Sequence, residues 1–276
     1  MTFDLYEKSE HLAVPSVLYE FRLGTAVWTY TSSEHAITLF GGTEDELVFE
    51  PAAISDGGYS QSGDVSNDDM TITLPKSLPL VDLFKGTPPS EAVYVVVRRK
   101  NRGNDEAAVV WVGSITNLKV VDAVSAEAVC WMLTSSFNRN GLRLAWSRGC
   151  PHALYDIGCR ADKAAFAISM QVTALTPVSV TSPALIPLAD NYLSGGFFEW
   201  ELTEGVLERR PIETQAAGVM VVLGITDGLN VGDWITVYPG CDRTSSTCES
   251  KFNNLLNYGG FPHMPGKSPF DGDPVF

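Results

Sequence analysis

Residues 92–115 read AVYVVVRRKNRGNDEAAVVWVGSI. Two runs of Val, Tyr and Trp flank a polar stretch, with Asn101, Gly103 and Asn104 at its centre. β-Branched and aromatic side chains fit a pleated, half-buried surface, and Asn and Gly accept turn conformations. The stretch therefore reads as a β-hairpin with its tip at residues 101–104. The same grammar extends in both directions. VLYEFRLG (17–24) and AVWTYTS (26–32) form a second hairpin. MTITLP (70–75), NLKVVDA (117–123) and AEAVCWMLTS (126–135) read as further strands. SLPLVDLFKG (77–86) is the one short helix expected in this half, with Gly86 as its stop. No βαβ rhythm and no Gly-rich phosphate loop interrupts the pattern. Short strands and close turns predict a mainly β fold, a barrel or sandwich.

The composition changes near Trp146. WSRGCPHALYDIGCRADKAAF (146–166) is compact and turn-rich, and strands resume in AFAISMQVTAL (165–175). TPVSVTSPALIPL (176–188) has three prolines and reads as a segment crossing between strands. GGFFEWELTEG (195–205), VLERRPIETQ (206–215), GVMVVLG (218–224) and DWITVYPG (233–240) read as a β-meander. CESKFNNLLN (248–257) is the best helix of this half, with Thr247 as its N-cap. The expected division is residues 1–145, a β-rich domain, and residues 146–276, a β-rich domain with a short helix. The Gly- and Pro-rich ending, YGGFPHMPGKSPFDGDPVF (258–276), is too aromatic for a free linker. It is expected to pack against the cysteine region.

The chain has 276 residues, 45% of them apolar and 19% charged, with a formal net charge of -14. That is ample for a large core, so disulfides are not needed to compensate for a small one. The acidity argues against a surface that neutralises phosphates or anionic lipid. No run approaches the ~18 apolar residues of a membrane span. MTFDLYEKSEHL lacks the basic end and apolar run of a secretory signal. Folding in a reducing cytosol is the expectation, and disulfides are rare there.

Four of the five cysteines fall into two pairs, Cys150 and Cys159 in RGCPHALYDIGC and Cys241 and Cys248 in YPGCDRTSSTCESKFNN. The spacings are C-x8-C and C-x6-C, with 81 residues between the pairs. Gly149, Gly158 and Gly240 each precede a cysteine. Such glycines let backbone N–H groups approach a thiolate, which is costly to bury without donors. Four thiolates can hold Zn²⁺ or an iron–sulfur cluster. Zinc knuckles favour loops of two to four residues, and wider loops suit a larger body. Spacing alone leaves cluster and zinc level, with disulfides behind. Cys130, in the apolar AEAVCWML, is expected to be a buried structural cysteine.

A resemblance attaches to these residues. The C-x8-C … C-x6-C pattern resembles that of the phage tail-tip protein L family, typified by the minor tail protein L of phage lambda. CESKFNNLLNYGGFPHMPG is similar to the ending of the tail-hub proteins of siphophages, prophages and gene transfer agents. The likeness is most specific from GCPHALYDIGC to FPHMPG. It implies a [4Fe–4S] cluster on Cys150, Cys159, Cys241 and Cys248, with zinc as the alternative. It also implies a threefold hub closing the tail tube at the virion's tail tip. The implied partners are the distal tail protein, the tip protein carrying a fibre or spike, and the tape measure protein.

Catalytic readings compete with this one. A Cys–His hydrolase needs a free thiolate beside a histidine. With all four paired cysteines engaged none is free, so His152 and His263 read as packing or supporting residues near the site. His11 and His35 read as surface residues. Glu44–Glu46 and Asp68–Asp69 read as solvated turns, and Asp227 and Asp233 lack the spacing of a calcium loop. No hydrolase, zincin or nucleotide-loop motif is present. The expectation is a structural protein rather than an enzyme. A cytosolic zinc or iron–sulfur enzyme, or a zinc-stabilised binding module, stands as the alternative.

Overall fold

The structure, a computed structural model, describes residue 8 and residues 15–59, 69–104, 106–137 and 146–264. The boundary expected near residue 145, together with His11 and Asp68, lies outside these residues. The chain divides into two compact units. The first is Met1–Arg139 with Thr203–Glu208, and the second is Asn140–Leu202 with Arg209–Phe276.

The described residues of the first unit build a nine-stranded sheet. Its strands are β1 (Pro15–Leu23), β2 (Ala26–Thr31), β3 (Ile37–Leu39), β4 (Leu47–Pro51), β5 (Ser55–Asp56), β6 (Met70–Pro75), β7 (Tyr94–Asn101), β8 (Ala107–Val120) and β9 (Ser125–Met132). Their order across the sheet is β3-β4-β2-β1-β7-β8-β9-β6-β5. The opening hairpin is β7–β8, with Lys100 opposite Ala107 and the Asn104 N–H donating to Asn101 O at 3.1 Å across the tip. Alternation drives Val95, Val97 and Trp111 inward. β1 and β2 pair from Leu23↔Ala26 outward around a turn at Gly24 (φ 58°).

The strands expected at 107–115 and 117–123 are one strand, β8, whose register shifts between Ile115 and Asn117. A bulge absorbs Thr116 without turning the chain away from β9. The helix expected over 77–86 is only α1 (Pro79–Asp82). Pro79 opens it, no side chain caps it, and a turn carries the chain to Gly86 (φ 87°).

The second unit carries most of a seven-stranded sheet. It comprises β10 (Ile168–Gln171), β11 (Ala174–Thr176), β12 (Ser179–Thr181), β13 (Phe197–Thr203), β14 (Val206–Ala216), β15 (Val219–Val222) and β16 (Trp234–Tyr238), in the order β10-β16-β13-β14-β15-β12-β11. The expected meander holds only for β13, β14 and β15. β16 crosses over to lie between β13 and β10. The proline-rich 176–188 also supplies a strand, β12, antiparallel to β15. Phe198, Trp200, Met220, Val222, Ile235 and Val237 anchor one apolar core, which Met170 and Leu185 join.

After β16 the chain enters α2 (Ser245–Ser250). Its N-cap is Thr244, not Thr247. Thr244 is extended (φ -88°, ψ 153°), and its hydroxyl accepts the Thr247 N–H at 3.2 Å. The helix stops short of the expected 257. Asn253 turns left-handed (φ 47°), and Leu255–Asn257 forms a separate 3-10 turn.

Candidate functional site: a four-cysteine cavity

Cys150, Cys159, Cys241 and Cys248 line one cavity of about 170 Å³ in the second unit. Cys150, Cys159 and Cys241 are half-buried and Cys248 is buried. None is in a disulfide. The fifth cysteine, Cys130, lies at 0% exposure in β9 of the first unit, as expected of a structural residue.

Hydrogen bonds cross between the two cysteine segments. The Cys150 N–H donates to Arg243 O at 2.9 Å, two residues from Cys241. The Tyr258 hydroxyl reaches both Arg148 O (2.6 Å) and Arg243 O (3.2 Å). Asn254 joins the other two cysteines. Its Nδ2–H donates to Cys159 O at 2.6 Å and lies 3.7 Å from Cys159 Sγ. The Cys248 thiol donates to Asn254 O at 3.3 Å. The Arg243 N–H donates to Cys241 Sγ at 3.3 Å, the kind of contact a thiolate requires. Asp156 shapes the first loop by accepting from the N–H groups of Cys159 and Ala153.

The loops are held in uncommon backbone conformations. Tyr155, Arg160, Arg243 and Asn253 all have positive φ. Such residues cost of order 1–3 kcal/mol each and persist where their surroundings over-determine them. Tyr155 shows how. Its hydroxyl donates to Pro239 O at 3.0 Å, and its ring packs against Phe166, Phe197, Tyr238 and Phe252. His152 lines the cavity between Gly158 and Gly259, where a Cβ at either glycine would strike the imidazole. The expected supporting place for His152 beside the thiols is therefore where it sits. His263 is elsewhere, in an exposed cleft with Trp146, Phe261 and Met264. The ending docks as expected as far as residue 264. Phe261 stacks on Trp146 at 4.6 Å, and its N–H donates to Ser147 O at 2.9 Å. Residues 265–276 lie outside the described residues.

Burial pushes the thiols of Cys241 and Cys248 above their ordinary pKa, and the neighbouring cysteines add to it. For Cys241 the Arg243 N–H pulls partly back. Lys251 is a nearby cation, and Arg243 lines the cavity itself. The Lys251 ammonium donates to Gly240 O at 2.7 Å and to Tyr192 O, and lies 4.5 Å from the Tyr192 ring centre. Burial lowers its pKa, while Cys241 and Asp242 oppose that.

The donor set can be tested against its candidate guests. Among the described residues, no three His, Cys, Asp or Glu side chains converge as ligands of one metal ion. Four thiols line a common space with N–H donors and no carboxylate, a donor set of the kind that zinc and iron–sulfur clusters both use. The remaining sequence candidates do not gather into a site. His35 and Glu44–Glu46 are exposed, and Asp233 accepts from the Asn230 N–H at 2.7 Å within its own turn. Asn254 and Tyr258 were missed by sequence reasoning. Both lie in the CESKFNNLLNYGGFPHMPG ending, but nothing in that stretch by itself singled them out.

Residues 191–268 match a phage protein family, described as "Phage conserved hypothetical protein BR0599". The match includes Cys241, Cys248, Asn254 and Tyr258 and stops short of the first cysteine pair. A chain of the solved structure "Virion of native gene transfer agent (GTA) particle" is similar over 99% of this chain and 96% of its own length. The TM-score is 0.78 at 20% identity, so the two share a fold. No curated protein matches. Among the described residues, no helix is long and apolar enough to cross a membrane.

Proposed function

We propose that this protein is a structural subunit of a phage or gene-transfer-agent virion, a tail-tip hub, in which Cys150, Cys159, Cys241 and Cys248 hold a [4Fe–4S] cluster. The observation that carries the virion role is the end-to-end likeness to a chain of a gene-transfer-agent particle. The phage family match over 191–268 points the same way. The cluster rests on four thiols around one cavity, with an N–H donor at Cys241 Sγ.

The role is mechanical. A bound cluster supplies four sulfur attachment points, and through them the 150–159 and 241–248 segments are cross-linked. The protein's own residues then position the thiols and offer N–H donors. As a threefold hub the subunit would close the tail tube. It would join the distal tail protein to the tip protein bearing a fibre or spike, and the tape measure protein would be a further neighbour.

The test has two arms. Protein purified without oxygen should be brown, with iron and sulfide in equal amounts. A colourless protein with one zinc would sink the cluster. Mass spectrometry and antibody labelling of purified particles should place the chain at the tail tip. Its absence from particles would remove the virion role.

A further inference from the structure

The cavity is bridged most directly by one residue that is not a cysteine. Asn254 meets Cys159 through its side chain and Cys248 through its backbone. Nδ2–H donates to Cys159 O at 2.6 Å and stands 3.7 Å from Cys159 Sγ. The Asn254 N–H donates to Cys248 O at 3.0 Å. The amide has one sensible orientation. Asn257 Nδ2–H donates to Asn254 Oδ1 at 2.6 Å, so the opposite face, the NH₂, must be the one turned to Cys159. Turning it over would set two NH₂ groups together and an oxygen against a carbonyl. Cys159 and Asn254 are 95 residues apart, so the contact joins the two cysteine segments without any metal.

We infer that Asn254 is the positioning residue of the site. Its NH₂ holds Cys159 at the cavity and donates toward that sulfur once it is a ligand. The inference rests on the metal-binding reading above and adds a residue to it. Partners that orient a ligand commonly change metal retention 10–100-fold when removed. Donors to ligand sulfurs also tune a cluster's reduction potential.

The experiment uses the full chain, purified without oxygen, as wild type, Asn254→Ala and Asn254→Asp. Iron and sulfide content, the rate of iron loss to a ferrous chelator and the midpoint potential are measured on each. Asp keeps the size of Asn and the acceptor for Asn257 but has no NH₂. Both variants should lose iron about tenfold or more faster than wild type, with a lower midpoint potential. If Asn254→Asp retains iron at the wild-type rate and potential, the side chain only fills space and the inference is overturned. Should Asn254→Ala fail to fold, Asn254→Asp alone decides. A wild type without iron and sulfide would overturn the metal reading and this inference together, and it would show before any variant is compared.

Discussion

Cys130 and Cys248 are both buried, yet their surroundings separate an inert thiol from a candidate ligand. Cys130 Sγ lies 3.8 Å from Ala128 O, and burial pushes its pKa up to about 12. At pH 8 almost none of it is thiolate, the reactive form. Iodoacetamide at pH 8 should therefore label Cys150, Cys159 and Cys241 in native, metal-free protein and leave Cys130 untouched until denaturant is added. Peptide mass spectrometry reads the difference, and early labelling of Cys130 would contradict its placement. Glu199 offers a second residue-level test. It is buried between Lys163 (2.7 Å) and Arg209 (2.7 Å). Burial raises its pKa, but the two cations outweigh that and hold it below the ordinary carboxylate value. A lowered folded pKa contributes stability above the unfolded value, about 4.3, and that contribution is lost as pH falls through the folded value. Glu199→Gln should cost of order 1–2 kcal/mol at pH 7, between the surface and buried limits. The deficit should shrink as pH drops below about 4. Urea midpoints at pH 7 and at acid pH check the sign, and a deficit independent of pH would mean that packing, not charge, is lost.

At the scale of elements, α2 presents Cys248 and depends on its cap. Thr244 Oγ1 accepts from Thr247 N and donates to Asp242 Oδ1 at 2.8 Å, tying the helix start to the Cys241 loop. Removing such a cap costs about 1 kcal/mol. Thr244→Ala should lower the urea midpoint accordingly and Thr244→Ser should restore most of it. A destabilisation in Ala that Ser does not rescue would assign the effect to the lost methyl group instead. Elements like this also show what can be read from a sequence. Hairpins such as β1–β2 and β7–β8 were legible because alternation and turn residues are local. The four cysteines were legible because their residue type is rare and chemically specific. The crossing of β16 to β13 and β10 was not, since strand order depends on partners far along the chain. The bulge at Thr116 showed in the sequence as a break and so read as two strands, because pairing with β9 on both sides of it is not a local signal. The cap was misplaced because Thr244 and Thr247 are the same residue type, and only backbone geometry chooses between them. Asn254 could not be found from its own neighbourhood, as its partner lies 95 residues upstream.

For the whole molecule, the question is what a link between the cysteine pairs contributes. Cys159 and Cys241 have 81 residues between them, a span that includes β10 to β16. Closing a loop of that length removes entropy from the unfolded chain worth about 4–5 kcal/mol in the simplest treatment. That is a large fraction of the 5–15 kcal/mol by which domains are ordinarily stable. The benefit belongs to the second unit, since all four thiols lie in it. The unit also has an apolar core of its own, centred on Phe198, Trp200 and Ile235. Metal removal should therefore loosen it rather than abolish it. The expected outcome under anaerobic chelation is faster amide hydrogen exchange in residues 148–160 and 240–258, and a smaller increase through β13 and β16. Exchange in β1, β7 and β8 of the first unit should not change. Cys150→Ser should reproduce the effect without chelator, because it removes one attachment point. Were exchange in the second unit the same with and without metal, the hydrogen bonds of Asn254 and Tyr258 would already hold the segments together. The bound group would then have to be explained by something other than mechanical strength.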